Sequence, residues 1–188
     1  MNQSKITLLL SFISAILWTS CQTKPANQPA TATEESTTQI SDDSLFNLVQ
    51  YQTFRYFWDG AEPNSGMAPE RIHMDDVYPQ NDQHIVTIGG SGFGVMAILV
   101  GIERGYISRE EGFNRLQQIA NFLDEADHFH GAWPHWLDGE TGKTKPFSKK
   151  DDGGDLVETA FMVQGLLAVR QYFAQGNEAE QALAEQID

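Results

Sequence analysis

Residues 128–173 read HFHGAWPHWLDGETGKTKPFSKKDDGGDLVETAFMVQGLLAVRQYF and contain the two features around which the chain is organised. The first half is rich in aromatic, histidine, glycine and lysine residues, which is typical of a polar loop. The second half is strongly apolar and begins Asp-x-x-Glu, a pattern that favours the first turn of a helix. The stretch therefore predicts a long loop that leads into a buried helix, with Asp151, Asp155 and Glu158 at the junction.

The same arrangement occurs once before in the chain, which indicates an internal repeat. Each unit consists of a helix, a long polar loop and a buried helix, and the two units occupy residues 42–105 and 109–173. The aligned segments are FWDGAEPNSGMAPE (57–70) with FLDEADHFHGAWPH (122–135), and GGSGFGVMAILVG (89–101) with GGDLVETAFMVQG (153–165).

Helix signals predict an all-α fold. Ser41 is a good N-cap for a first helix, and the apolar residues 92–103 predict a second, buried helix. A third helix should begin at Ser108, where the sequence SREE matches a capping box, and a fourth should run from residue 155 to about residue 173. No stretch alternates apolar and polar residues as a strand would.

A helical pair of this kind cannot cover its own apolar inner helix, so it needs neighbouring pairs. Six pairs would close into an (α/α)6 toroid of about 390 residues. This chain holds two units and the start of a third in AEQALAEQID (179–188). We therefore expect a partial toroid from a truncated sequence, in which inner-helix faces at residues 95–102 and 161–169 lack neighbours. A full-length version should be monomeric.

The first 20 residues predict an export signal. They contain one lysine and an apolar run that is too short to span a membrane as a mature helix. The small residues Thr19 and Ser20 precede Cys21, as in a bacterial lipobox, so residues 1–20 are interpreted as a lipoprotein signal peptide and Cys21 as the acylated residue. An ordinary signal peptide with an incidental cysteine is the alternative.

Residues 21–40 are rich in Thr, Ala, Gln and Pro and predict a disordered tether, which leaves residues 41–188 as the folded domain. The formal charge of −14 disfavours nucleic acid and anionic membrane surfaces as partners, because both attract basic patches. We therefore expect membrane contact through the lipid anchor alone, and a location in the periplasm or at the outer membrane.

The carboxylates at the start of the fourth helix are candidates for catalysis. Helix capping would explain them structurally, but the aligned positions in the first unit are Ser91 and Gly94, so the repeat does not require acids there. Glu158 lies in an apolar helix, where partial desolvation would suit it to donating a proton. Asp155 and Asp151 add two further carboxylates to the same mouth.

Residues three apart on a helix lie side by side, with Cβ atoms about 5–6 Å apart, and so form one wall of a cleft. Hydrolysis of a glycosidic bond with inversion instead needs two carboxyl groups about 6.5–9.5 Å apart on opposite sides of the sugar. The second wall should come from the loop at residues 59–82 or from beyond residue 188. Within that loop, Asp59 and Arg71 flank the aligned Gly-x-x-Pro turn and are the candidates for substrate binding.

Two indoles and an imidazole occur together at Trp133, His135 and Trp136, in loop backbone where a flat ring could stack on a sugar. Packing of the indoles in the core is the alternative. A zinc site formed by His128, His130 and His135 is a further alternative. Because no H-E-x-x-H pattern or cysteine partner accompanies these histidines, we expect no metal and no other cofactor.

Four segments resemble the glycoamylase-like domain family: FRYFWDGAEPNSGMAPER, GGSGFG, GAWPHWLDGETGK and DDGGDLVETAFMVQGLL. The resemblance covers about residues 44–188 and implies the first half of an (α/α)6 domain. It also implies an inverting endo-β-1,2-glucanase-like glycoside hydrolase. The spacing of Asp151, Asp155 and Glu158 is similar to a carboxylate cluster important for activity in that family. Another functional acid of the family lies downstream of residue 188.

The leading functional prediction is thus a lipid-anchored glycoside hydrolase that acts on a glucan, with β-1,2-glucan preferred. The alternative is a surface lipoprotein that binds a glycan without cleaving it. A scaffold of helical repeats is disfavoured by Trp133, Trp136 and the long acidic loop. The sequence leaves the linkage and the choice between endo and exo action open.

Overall fold

The structure is a computed structural model, and it describes residues 40–188. The predicted signal peptide, Cys21 and nearly all of the tether lie outside the described residues. No helix in the described range is both long and apolar enough to cross a membrane. The elements are α1 (Asp42–Trp58), β1 (Ile85–Thr87), α2 (Ile88–Glu103), α3 (Arg109–Glu125), β2 (Trp136–Asp138), β3 (Thr144–Lys145), α4 (Leu156–Phe173) and α5 (Glu178–Ile187).

The helices form the two predicted repeat units. In each unit an outer helix, α1 or α3, is followed by a long loop and then by an inner helix, α2 or α4, while α5 begins a third unit. The inner helices pack side by side, and α2 also contacts α1 and α3. The predicted fold class was an all-α partial toroid of about two helical hairpins and the start of a third. It is confirmed by a mostly helical chain with few strands.

Hydrogen bonds at the helix starts follow the sequence signals. The Ser41 hydroxyl accepts from the Ser44 amide at the start of α1. At α3, Ser108 and Glu111 form a reciprocal capping box, as predicted. These caps satisfy backbone N–H groups that have no partner within the helix.

Helix α2 begins at Ile88, four residues before the predicted start at Gly92. Glycine has low helix propensity, so the sequence GGSGFG does not predict that a helix begins there. Packing explains the glycines: a Cβ on Gly92 would lie 2.4 Å from the Phe161 carbonyl oxygen, and one on Gly165 would lie 2.4 Å from the Gly92 carbonyl oxygen. The inner helices are therefore in direct backbone contact.

A small antiparallel sheet, β1–β2–β3, joins the loops of the two units. Val86 pairs with Leu137 and Thr87 pairs with Trp136. Val86 and Leu137 are fully buried on one face, so Thr87 and Trp136 lie on the other. The sequence did not predict this sheet because strands of two or three residues are too short to show alternation.

The buried core lies between the helices and the inner face of the sheet. Val95 and Ile98 of α2 are buried, so the expectation that this helix lacks neighbours is wrong: α1, α3 and α4 cover it. Helix α4 does present an uncovered apolar face, on which Val163 and Leu167 are each more than 40% exposed. Phe161 is as exposed but lies on the opposite side of the helix, where its ring packs against Phe93.

Candidate active site

Asp155 is the N-cap of α4 and uses both of its carboxylate oxygens. Oδ1 accepts hydrogen bonds from the amides of Val157 and Glu158 at 2.9 and 3.1 Å. Oδ2 lies 2.9 Å from Nδ1 of His135. Because an ionised carboxylate only accepts, a hydrogen bond here requires a proton on Nδ1 of His135. The predicted residues Asp155 and His135 are thus in direct contact.

The environment of Asp155 favours its ionised form. Burial alone would raise the pKa of Asp155, but hydrogen bonds from the Glu158 amide, the His135 ring and the Val157 amide together lower that pKa. Asp155 therefore remains a carboxylate near neutral pH. This state suits a hydrogen-bond acceptor or a base rather than a proton donor.

Glu158 reaches out of its own unit to the start of α2. Its Oε2 accepts from the Gly89 amide at 2.8 Å and lies 3.3 Å from the Thr87 hydroxyl. Glu158 does not close a capping box with Asp155, whose own amide donates to the Trp133 carbonyl oxygen at 2.8 Å. Its other oxygen, Oε1, accepts no hydrogen bond from any residue in the described range. Oε2 of Glu158 thus forms a hydrogen bond within the fold, and Oε1 is available to a ligand.

Asp151 lies beside this pair. Its Oδ2 is 3.9 Å from Nδ1 of His135, and its side chain is about one-third exposed. Donor atoms of His135, Asp151 and Asp155 all lie within 4.8 Å of one another. Of residues 40–188, these three form the group with a geometry that could hold a metal ion, and His128 and His130 are not part of it.

An aromatic surface borders the carboxylates. The His135 ring stacks on Phe147 with centroids 4.2 Å apart, and the Trp136 ring lies 4.8 Å from Phe147. Phe147 is half exposed. Phe147 is not among the residues predicted from the sequence, although a large apolar residue inside the polar run KTKPFSKKDD was an available signal.

Trp136 connects this surface to the loop of the first unit. Its ring Nε1–H donates to Oε2 of Glu70 at 3.0 Å, and Oε1 of Glu70 lies 3.1 Å from a guanidinium nitrogen of Arg71. The predicted substrate-binding residues Trp136 and Arg71 are therefore brought to one place. Glu70, which links them, was not selected from the sequence.

Two other predicted residues lie elsewhere. Trp133 packs against the core, and its ring N–H donates to the Leu123 carbonyl oxygen at 3.3 Å. This is the packing alternative considered from the sequence. Asp59 follows α1 and forms an ion pair with Arg55 at 2.6 Å. The proposed contacts of Trp133 and Asp59 with substrate stay predictions. Neither side chain takes part in the hydrogen bonds of the acids described above, although the Trp133 carbonyl oxygen accepts from the Asp155 amide.

Glu62 shows what a purely structural carboxylate looks like in this fold. It is 3% exposed and accepts from the Ser65 amide and hydroxyl at 2.7 Å. Burial alone would raise the pKa of Glu62, but the hydrogen bonds from Ser65 and Asn64 lower it. Its two oxygens are enclosed by the loop, in contrast to the partly exposed Asp151.

A chain of contacts connects acids from both units: Glu70 accepts from Trp136, the Trp136 ring neighbours His135, and His135 contacts Asp155. Asp151, Asp155 and Glu158 come from the second unit, and Glu70 comes from the first. Carboxylates beside exposed aromatic rings can hold a sugar by stacking and hydrogen bonds, and can exchange protons with a glycosidic oxygen.

Comparisons with known proteins identify close relatives. An endo-β-1,2-glucanase from Chitinophaga pinensis, solved with sophorotriose and glucose, is 71% identical over 80% of this chain, with a TM-score of 0.78. A glucoamylase-like protein from Bacteroides fragilis is 59% identical over 86% of the chain, with a TM-score of 0.77. An exo-β-1,2-glucooligosaccharide sophorohydrolase from Parabacteroides distasonis is 53% identical over 81% of the chain.

The chain spans only part of these relatives: 36% of the C. pinensis chain, 37% of the B. fragilis chain and 20% of the P. distasonis protein. No model of a protein family matches it. The identities are nevertheless far above the level at which only a fold is shared. The resemblance stated from the sequence is confirmed, and the chain is a close homologue of the glucoamylase-like proteins and β-1,2-glucanases.

Proposed function

We propose that the protein is a glycoside hydrolase that acts on β-1,2-glucan. The observation that carries this proposal is the grouping of Asp151 and Asp155 around His135, with Glu158 in the first turn of the helix that Asp155 caps, in a chain 71% identical over most of its length to an endo-β-1,2-glucanase. The adjacent His135 and Trp136 supply the polar and aromatic contacts that a glucose residue needs.

Within this proposal the acids have different roles. Asp155 is held ionised and fixed by its helix and His135, so it binds substrate hydroxyls or accepts a proton. Glu158 keeps Oε1 available and is the candidate proton donor to the glycosidic oxygen. Hydrolysis proceeds with inversion, which requires a further carboxyl group about 6.5–9.5 Å from the donor on the opposite side of the sugar.

The test is an assay of β-1,2-gluco-oligosaccharide cleavage, followed by NMR of the first anomer released. Glu158→Gln and Asp155→Asn should each lower turnover by about 10²-fold or more if the residue transfers a proton. Glu140→Gln is a matched control, because Glu140 is an exposed loop acid of the same unit. Near wild-type turnover in both site variants, together with lower melting temperatures, would show that these acids only cap helices.

The second candidate is a lipoprotein that binds β-glucan without cleaving it. It is favoured because both carboxylate oxygens of Asp155, and one of Glu158, already form hydrogen bonds within the protein. Under this alternative the wild-type protein binds β-1,2-gluco-oligosaccharides but releases no product. Glu158→Gln would then leave binding intact, so the same preparations separate the two functions.

We also propose that the protein is exported and anchored through acylated Cys21, in the periplasm or at the outer membrane. The proposal rests on the apolar run and the small residues before Cys21. Cys21→Ser should move the protein from the detergent phase to the aqueous phase in a partitioning experiment. Unchanged partitioning of this variant would contradict the anchor.

A further inference from the structure

The segment at residues 68–70 forms an additional ribbon at the edge of the sheet. The Glu70 amide donates to the Ile85 carbonyl oxygen at 2.9 Å, and the Thr87 amide donates to the Ala68 carbonyl oxygen at 3.1 Å. Between them, Pro69 pairs with Val86. The backbone of Glu70 is therefore fixed beside β1 although it belongs to the long acidic loop.

This pairing determines the face on which Glu70 lies. Residues directly opposite one another on antiparallel strands point to the same side. Pro69, Val86 and Leu137 share the face that is buried in the core. Glu70 is one residue away from Pro69, so it lies on the outer face with Thr87 and Trp136.

The outer face has an acid at each side. Trp136 donates to Glu70 at 3.0 Å, and on the other side the Thr87 hydroxyl lies 3.3 Å from Oε2 of Glu158. Glu70 comes from the first unit and Glu158 from the second. A ligand seated on this face would therefore meet carboxylates from two directions, which residues on one helical turn cannot provide.

The surroundings of Glu70 fit a hydroxyl-rich ligand. Its side chain is 27% exposed, so it is held but not enclosed as Glu62 is. Arg71 pairs with it and is itself 46% exposed, with N–H groups to spare. A carboxylate and a guanidinium side by side can accept from one sugar hydroxyl and donate to the next.

We propose that Glu70, oriented by Trp136, binds substrate directly and forms the wall of the sugar site opposite Asp155 and Glu158. This inference rests on the proposed glucan-cleaving function and adds a residue from the first repeat unit to it. Arg71 completes the contact by donating to a neighbouring hydroxyl. Trp136 has two roles here, since its indole lies beside His135 and Phe147 and its N–H fixes Glu70.

The test compares wild type, Glu70→Gln and the matched control Glu140→Gln by calorimetric titration with β-1,2-gluco-oligosaccharides and by steady-state kinetics. Glutamine keeps an acceptor for the Trp136 N–H but removes the charge. Glu70→Gln should weaken binding by about tenfold and raise KM, with the melting temperature and the Glu140→Gln control unchanged.

Unchanged affinity and KM in Glu70→Gln, in a protein that otherwise binds and cleaves the oligosaccharide, would overturn the inference and leave the proposed function standing. A lower melting temperature with unchanged affinity would do the same, because Glu70 would then only hold Trp136 in place. If wild-type protein neither binds nor cleaves any β-glucan, the proposed function fails, and the role of Glu70 fails with it.

Discussion

The two inner helices satisfy the backbone N–H groups of their first turns in opposite ways. Helix α4 begins at Asp155, whose side chain accepts from two amides of its own first turn. Helix α2 begins after Thr87, which makes no side-chain cap, and its first turn contains Gly89 and Gly90. The missing acceptor comes from Glu158, a residue of the neighbouring unit.

This difference shows that the two units depend on each other. The start of α2 takes its side-chain acceptor from Glu158 of α4. The first unit contributes a backbone amide at a helix start, and the second unit contributes the acid that accepts from it. Divergence between the repeats has therefore concentrated the candidate chemistry where the units meet.

The largest effect is expected from separating the two helices. A Cβ on residue 165 would lie 2.4 Å from the Gly92 carbonyl oxygen and 2.5 Å from a methyl group of Val95. Gly165→Ala should therefore lower the free energy of unfolding by about 3 kcal/mol. Chemical denaturation measures the loss.

Gly153→Ala is the control, because its Cβ would meet nothing closer than 3.8 Å. Equal stability of the Gly165→Ala and Gly153→Ala proteins would contradict direct backbone contact between α2 and α4.

Glu158→Ala should uncap the helix of the other unit. It leaves the Gly89 amide without its acceptor, which should cost about 2 kcal/mol. Hydrogen exchange should accelerate at Gly89, in α2, more than at Val157, in α4. Glu158→Gln keeps an acceptor and should lose less. Faster exchange confined to α4 would show that Glu158 serves only its own helix.

Asp155→Ala gives the converse result. The loss of an N-cap acceptor should cost about 1 kcal/mol, and exchange should accelerate at Val157 rather than at Gly89. Asp155→Asn retains an acceptor for these amides and is the matched variant. If Asp155→Ala accelerates exchange at both helix starts equally, the two caps are not independent.

The smallest effect concerns pH. The folded pKa of Asp155 is lowered, so its stabilisation is fully present above the unfolded pKa of about 3.9 and is lost as the pH falls through the lower folded pKa. Between pH 7 and pH 2, wild type should lose more stability than Asp155→Asn. Parallel curves for the two proteins in thermal melts would contradict the lowered pKa.

Much of the fold could be predicted because its signals are local. The capping box of Ser108 and Glu111 lies within four consecutive residues. The repeat is visible because segments of the first unit align with segments of the second. The start of α2 could not be predicted in the same way. The acceptor for the Gly89 amide is Glu158, 69 residues further along the chain. The glycines in the first turns of α2 also resemble a loop sequence. The sheet was missed because its strands are too short to show alternation and because β1 pairs with β2 of the other unit.

The candidate site was predicted in part. Residue types and spacing predicted Asp151, Asp155 and His135 as site residues, and the structure places these side chains together. They could not separate Trp133, which packs against the core, from Trp136, which contacts Glu70, because both belong to the same short run. The direction of Trp136 follows from its place in β2 beside the buried Leu137, whereas Trp133 precedes β2 and is held by the bond from its ring N–H to Leu123.

Backbone contact between Gly92 and Gly165 also affects how the mouth can move. Side chains that separate two helices can change rotamer and so let the helices slide, whereas touching backbones have no such layer. Thermal fluctuations at this crossing must bend a helix instead. The helix starts that carry Gly89 and Glu158 should therefore move very little relative to each other, even while the outer loops sample other conformations.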